Sequence, residues 1–179
     1  MNMNAKGFTL IEVLIGLFIA VIASISVAQV IAGTNKVIDS GRKTFIATNL
    51  AHEGLELTRE LRDTTWFTDS VRSNWVSKSG LCPDDKATYT YTIDPNKAMD
   101  NGVYAGDANK ELYINSSNGL WAPDKGSGPD SGYARVMTID CTQSKADPAF
   151  VTVTSTVNWN GAYGPKNVSL TELLYNWLP

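Results

Sequence analysis

The stretch Lys6-Gly7-Phe8-Thr9-Leu10-Ile11-Glu12-Val13 heads an apolar run that continues to about Ile31. From Val13 to Asn35, about 23 positions, no residue is charged. About 20 apolar residues suffice to cross a bilayer as a helix. One carboxylate, Glu12, therefore lies at the start of a span. An acid at the centre of a membrane helix costs about 2.5–3.5 kcal/mol, less near an end, and it calls for a partner. Cleavage after Gly7 would create one. The new α-amine on Phe8 would stand four residues from Glu12, roughly one helical turn. Between two chains offset by a turn, the amine of one meets the carboxylate of the other.

The seven residues before that cut carry a single Lys. A secretory signal needs a charged region and its own apolar core before the cleavage point. Here the apolar core follows the cut and stays in the product. Lys6 on the N-terminal side favours a cytoplasmic N-terminus with the rest of the chain outside.

The string Gly7-Phe8-Thr9-Leu10-Ile11-Glu12-Val13, at the head of an apolar helix, resembles the processing site of type IV prepilins and of the pseudopilins of type II secretion. The resemblance implies that a prepilin peptidase cuts between Gly7 and Phe8, that Phe8 is then N-methylated, and that Glu12 guides assembly with other pilin subunits. It also implies a pilin-like α+β fold, in which a long N-terminal helix packs on an antiparallel sheet. The motif covers about eight residues, and the helix behind it extends the likeness to about sixty. The chain departs from the family where many members carry a helix proline, because Gln29 stands at that place.

At 179 residues the chain fits one modest domain plus an anchor. The expected division is a leader over 1–7, a transmembrane and assembly helix over 8–35, an extramembrane helical half over 36–66, and a β-rich head over 67–179. Loss of the leader removes Lys6 and leaves 14 basic against 18 acidic side chains, a balance of −4. That argues against a general nucleic-acid binder, which needs a basic face.

Apolar residues Ile46, Leu50, Leu57 and Leu61, with Ala47, Ala51 and Leu55 beside them, recur at helical spacing beyond the span. One helix from Thr9 to about Arg62 is expected, softened near Gly33–Gly41, because each Gly costs about 1 kcal/mol relative to Ala. Arg59 and Asp63 form a candidate i,i+4 pair. After Ala23, the residues Ser24, Ser26, Gln29 and Gly33 permit close helix packing. The alternative is a single lipid-facing helix whose serines bond to its own backbone.

Beyond Thr64 turn chemistry dominates. Thr88–Ile93 and Glu111–Ile114 read as strands. Tyr133–Ile139, Phe150–Trp159 and Lys166–Tyr175 alternate more strongly, and their short connections predict an antiparallel meander. A sheet with one apolar face must bury it, and the extramembrane half of the helix is the cover.

Cys82 and Cys141 are expected to form a disulfide in an extracytoplasmic head, with two unpaired thiols as the alternative. His52 is the only histidine, so no metal site is expected. Asp84, Asp85, Asp124 and Asp130 lack a complete spacing for calcium and read as solvated turn residues. Asn115 and Asn167 head glycosylation tripeptides, which are short enough to arise by chance. Trp75 and Trp121, in loops, are the best candidates for exposed contact among the tryptophans. No nucleophile elbow or phosphate-binding loop is present, so neither catalysis nor a cofactor is expected. The expected role is a structural subunit of a pilus-like filament. The alternatives are a type II secretion pseudopilin and a competence-type minor pilin that binds DNA through the loosely basic Arg72, Lys78 and Lys86.

Overall fold

The structure, a computed structural model, describes residues 9–68, 80–83, 87–93, 103–104, 111–123, 128–144, 150–162 and 164–175. One helix, α1, spans Leu10–Thr68 without a break. It stays helical through Gly33 and Gly41, where softening was expected. It also runs six residues past Arg62. Thr64 and Thr65 are weak helix formers, but the Thr65 hydroxyl donates to the Leu61 carbonyl at 2.8 Å and is satisfied inside the last turns.

The chain divides into two compact units, Met1–Arg42 and Lys43–Pro179. In the first, the described residues belong to α1 and to Thr9 before it. The second holds the remainder of α1 and seven strands among the described residues. They are β1 (Thr88–Ile93), β2 (Val103–Tyr104), β3 (Glu111–Ile114), β4 (Trp121–Ala122), β5 (Asp130–Asp140), β6 (Phe150–Gly161) and β7 (Gly164–Tyr175). The fold is α+β with a pilin-like layout: a long N-terminal apolar helix followed by an antiparallel sheet.

β5 is the centre of the sheet. Along one edge its second half pairs with β1 and its first half with β3. Along the other edge it pairs with β6, which pairs with β7. The last three strands are the expected meander. Their hairpin closes at Gly161 opposite Gly164, whose φ of 111° favours glycine. The two-residue strands β2 and β4 arise in segments that read as turns. They have too few residues to show an alternating pattern.

Strand alternation sets the core. Tyr133, Met137 and Ile139 of β5 and Val151, Val153, Val157 and Trp159 of β6 are buried on the same side. Against them α1 places Ala47, Leu50, Ala51, Leu55, Leu57 and Leu61, all buried. The buried apolar residues fall into two clusters. One surrounds Leu55, Leu61, Met137 and Val153, and the other surrounds Leu50, Ala51, Val157 and Trp159.

Between the clusters lies a polar seam. Arg135 is fully buried and shares the inward side of β5. Its Nη1 donates to the Leu50 carbonyl at 3.0 Å and lies 3.3 Å from Glu53 Oε2. Its Nη2 donates to the Ile93 carbonyl at 3.4 Å. Beside it Gly54 meets Ser155. A Cβ at Gly54 would stand 2.6 Å from Ser155 Oγ, 2.8 Å from Met137 Sδ and 3.1 Å from Arg135 Cδ. The helix therefore approaches the sheet as closely as it does only because residue 54 has no side chain.

Cys82 and Cys141 are joined by a disulfide, with Cα atoms 6.1 Å apart and a sequence separation of 59. Both pack in the first cluster. Tyr91 ties the same corner, its hydroxyl donating to the carbonyls of Gly80 at 2.9 Å and Leu81 at 3.1 Å. The pair expected between Arg59 and Asp63 is replaced by others. Arg59 Nε donates to Glu172 Oε1 of β7 at 2.7 Å and its Nη1 binds Glu56. Asp63 is taken by Arg62 at 2.8 Å. A carboxylate projecting from the strand beneath the helix competes better for Arg59 than a solvated one on the next turn. The bond to Glu172 raises the Arg59 pKa above its ordinary value.

Candidate assembly helix

Thr9 precedes the first turn of α1, and its carbonyl accepts from the amides of Glu12 at 3.1 Å and Val13 at 3.3 Å. Glu12 lies in that first turn. The spacing Thr9-Leu10-Ile11-Glu12 is that of a capping box, in which a Thr at the cap and a Glu three residues on satisfy the first amides of a helix. That signal is present in the sequence, and the bonds to Thr9 in the structure are those of the Glu12 and Val13 amides to its carbonyl. Gly7 and Phe8 lie outside the described residues.

Every large apolar side chain from Leu10 to Ile38 is at least half exposed within the chain. They lie on all sides of the helix rather than along one stripe. Burying one such side chain is worth about 1.5–3 kcal/mol, so this segment left in water would cost tens of kcal/mol. It therefore requires lipid or other apolar helices around it. Among the described residues, one helix is long and apolar enough to cross a membrane.

Its polar groups are matched to that setting. The hydroxyls of Ser24, Ser26 and Thr34 donate to the carbonyls of Ala20, Ile22 and Val30, four residues back, at 2.8, 3.0 and 2.9 Å. This is the self-satisfied state expected of a helix in an apolar medium. A Cβ at Gly16 or Gly33 would meet nothing within 4 Å. Those positions leave the backbone open to close approach by another helix.

The head offers less chemistry. His52 is exposed on α1. Asp130 lines a cleft of about 240 Å³ with Glu111, Asn158 and Asn160. The Tyr113 hydroxyl donates to Glu111 at 2.9 Å, and that bond raises the Tyr113 pKa. No group of three His, Cys, Asp or Glu side chains able to hold a metal occurs among the described residues. Trp121 is not a free loop residue. It is half-buried in β4 and packs edge-on against Tyr133 at 5.7 Å. Asp84, Asp85, Asp124, Trp75, Arg72, Lys78 and Lys86 lie outside the described residues.

A family model described as the prokaryotic N-terminal methylation motif matches residues 2–28. The chain carries the N-terminal motif of type IV prepilins and pseudopilins. The match spans Gly7, Phe8, Glu12 and most of the exposed apolar helix. No curated protein and no solved structure matches the chain. The prepilin-type motif and the single apolar N-terminal helix are consistent with membrane anchoring.

Proposed function

We propose that the chain is a structural, non-enzymatic subunit of a type IV pilus-like filament. The carrying observation is an uninterrupted helix, apolar on every side and bare within its own chain, with the prepilin-type motif at its head. Before assembly the helix spans the bacterial cytoplasmic membrane, with its leader inside and its head outside. Prepilin peptidase cuts between Gly7 and Phe8, and Phe8 is methylated. The helix then exchanges lipid for the helices of other subunits. Glu12 pairs with the Phe8 α-amine of a neighbouring subunit, which offsets the cost of an acid in an apolar core and fixes the stagger between subunits. The Cys82–Cys141 disulfide holds the 80–83 segment against the sheet of the extracytoplasmic head.

Glu12→Gln tests the pairing. Glutamine serves in a capping box as glutamate does, so the helix start is kept while the charge is lost. The variant is expected to be made, inserted and cleaved like wild type, yet to be absent from sheared filaments. Incorporation at the wild-type level would refute the pairing. Retention of processed wild-type protein in the membrane, with none in filaments, would assign the chain to a secretion pseudopilin instead.

A further inference from the structure

From Val13 to Gly33 the polar side chains of α1 are Ser24, Ser26 and Gln29. Both serine hydroxyls are spent on carbonyls of their own helix, at 2.8 and 3.0 Å. Gln29 is the exception to that self-satisfied state. It is exposed, and its side chain makes no hydrogen bond among the described residues. The uncharged run continues for six residues beyond it, to Asn35.

The helix cannot supply what Gln29 lacks. Its amide has two donor hydrogens and one acceptor oxygen. Inside a helix each backbone N–H is already bonded to the carbonyl four residues back, so spare acceptors remain but no spare donor. A carbonyl of its own helix could take one amide hydrogen. Nothing on that helix can donate to Oε1. Lipid tails offer no donor either, and an unpaired amide oxygen in an apolar medium is costly. Oε1 therefore calls for a donor from another chain. In a bundle of copies of this chain, the hydroxyls of Ser24, Ser26 and Thr34 are already committed to Ala20, Ile22 and Val30. Asn35 and Lys36 stand six and seven residues further on, about 9–10 Å along the axis. The donor left at this depth is the amide of another Gln29.

We propose that Gln29 joins copies of this chain, its side-chain amide hydrogen-bonding to the Gln29 amide of a neighbouring copy within the apolar helices. Polar side chains hold membrane helices together in this way. An amide is self-complementary, so two parallel helices side by side exchange both bonds. Ser26 and Gly33, at i−3 and i+4, share the Gln29 side of the helix and leave room for close approach. The pair also limits register. A glutamine side chain bridges an offset of one turn, about 6 Å along the axis, but not one of three turns, about 16 Å. One turn is the offset at which Glu12 of one copy meets the Phe8 amine of the next. The contact thus deepens the filament reading, and it rests on that reading for its final setting in the filament core. A single buried polar residue fixes register in coiled coils by the same logic.

The test uses the full-length chain in vesicles of phosphatidylethanolamine and phosphatidylglycerol. The native cysteines are joined to each other, so His52→Cys, at an exposed position of α1, takes donor and acceptor fluorophores. Energy transfer then reports self-association. Gln29→Leu keeps the volume and the helix propensity and inserts at least as well. It is expected to weaken association about three- to fifteenfold, the range measured for polar contacts between membrane helices. Gln29→Asn keeps the amide and should stay close to wild type. Ser24→Ala, which removes a hydroxyl already satisfied by its own helix, should change nothing. A Gln29→Leu chain that associates as tightly as wild type, a Ser24→Ala loss as large as that of Gln29→Leu, or a wild-type chain that does not associate would overturn the contact. Association is read where no filament forms. A chain that associates through Gln29 yet never enters filaments would leave the contact standing and remove its filament setting.

Discussion

Gly54→Ala tests how the helix meets the sheet. On an open helix surface the change would stabilise by about 1 kcal/mol through helix propensity. At this position the new methyl would lie 2.6 Å from Ser155 Oγ, 2.8 Å from Met137 Sδ and 3.1 Å from Arg135 Cδ. The Met137 thioether can swing aside. Arg135 cannot follow, because its guanidinium is held by the carbonyls of Leu50 and Ile93 and by Glu53. Ser155 sits in β6, paired on both sides. Overpacking of this kind costs about 1–3 kcal/mol. Set against the propensity gain, the net expectation is a loss of about 1 kcal/mol, or about 3–5 °C in melting temperature for a domain of this size. Ser155 Oγ has no hydrogen-bond partner among the described residues, so Ser155→Ala should cost little by itself. It should also recover part of the Gly54→Ala loss. Thermal and urea unfolding of the four proteins of this cycle, in detergent, would measure the coupling. A Gly54→Ala protein at least as stable as wild type, or a loss that Ser155→Ala does not reduce, would refute the close-approach reasoning.

Three further outcomes are expected. Arg135→Ala should destabilise the head by about 2–5 kcal/mol in urea, since it empties a fully buried position and removes the donor to the Leu50 and Ile93 carbonyls, whereas Arg135→Met should cost less because a similar volume is refilled without the desolvated charge. Cys82→Ser combined with Cys141→Ser should cost about 4 kcal/mol on the chain-entropy estimate for a loop of this length, read as a lower urea midpoint that reductant does not shift further. The Thr142 amide donates to Asp140 Oδ1 at 2.9 Å and holds its pKa below the ordinary carboxylate value. Such a group stabilises above its unfolded pKa, and that contribution fades as pH falls through its lower folded value. Asp140→Ala should therefore be less stable than wild type at pH 7, with the gap closing below about pH 4 in paired urea titrations.

Much of this architecture is legible in the sequence because its periods are clean. Thr88–Ile93 and Glu111–Ile114 form the strands that their composition predicts. The apolar stripe from Ala47 to Leu61 is the buried side of the helix. Harder to read were features set by distant partners. Arg135 occupies an inward position by simple alternation with Tyr133, Met137 and Ile139, but only the helix carbonyl at Leu50 and the acid at Glu53 make a buried arginine tolerable there. Ser155 interrupts the Val151, Val153, Val157 series because Gly54 needs a small neighbour, and those two residues lie about a hundred positions apart. Arg59 reads locally as a partner for Asp63, yet it bonds to Glu172, which is 113 residues away. At the site the reverse holds. The eight residues from Lys6 to Val13 carry nearly all the functional information, and the structure adds the first-turn position of Glu12 and the exposed apolar helix behind it.

The most direct test of the filament account is the mass of the N-terminal peptide, compared between sheared surface filaments and the membrane fraction. The account predicts a chain that begins at Phe8, carries one added methyl group and occurs in the filaments. An intact Met1 leader in cells with an active prepilin peptidase would contradict it.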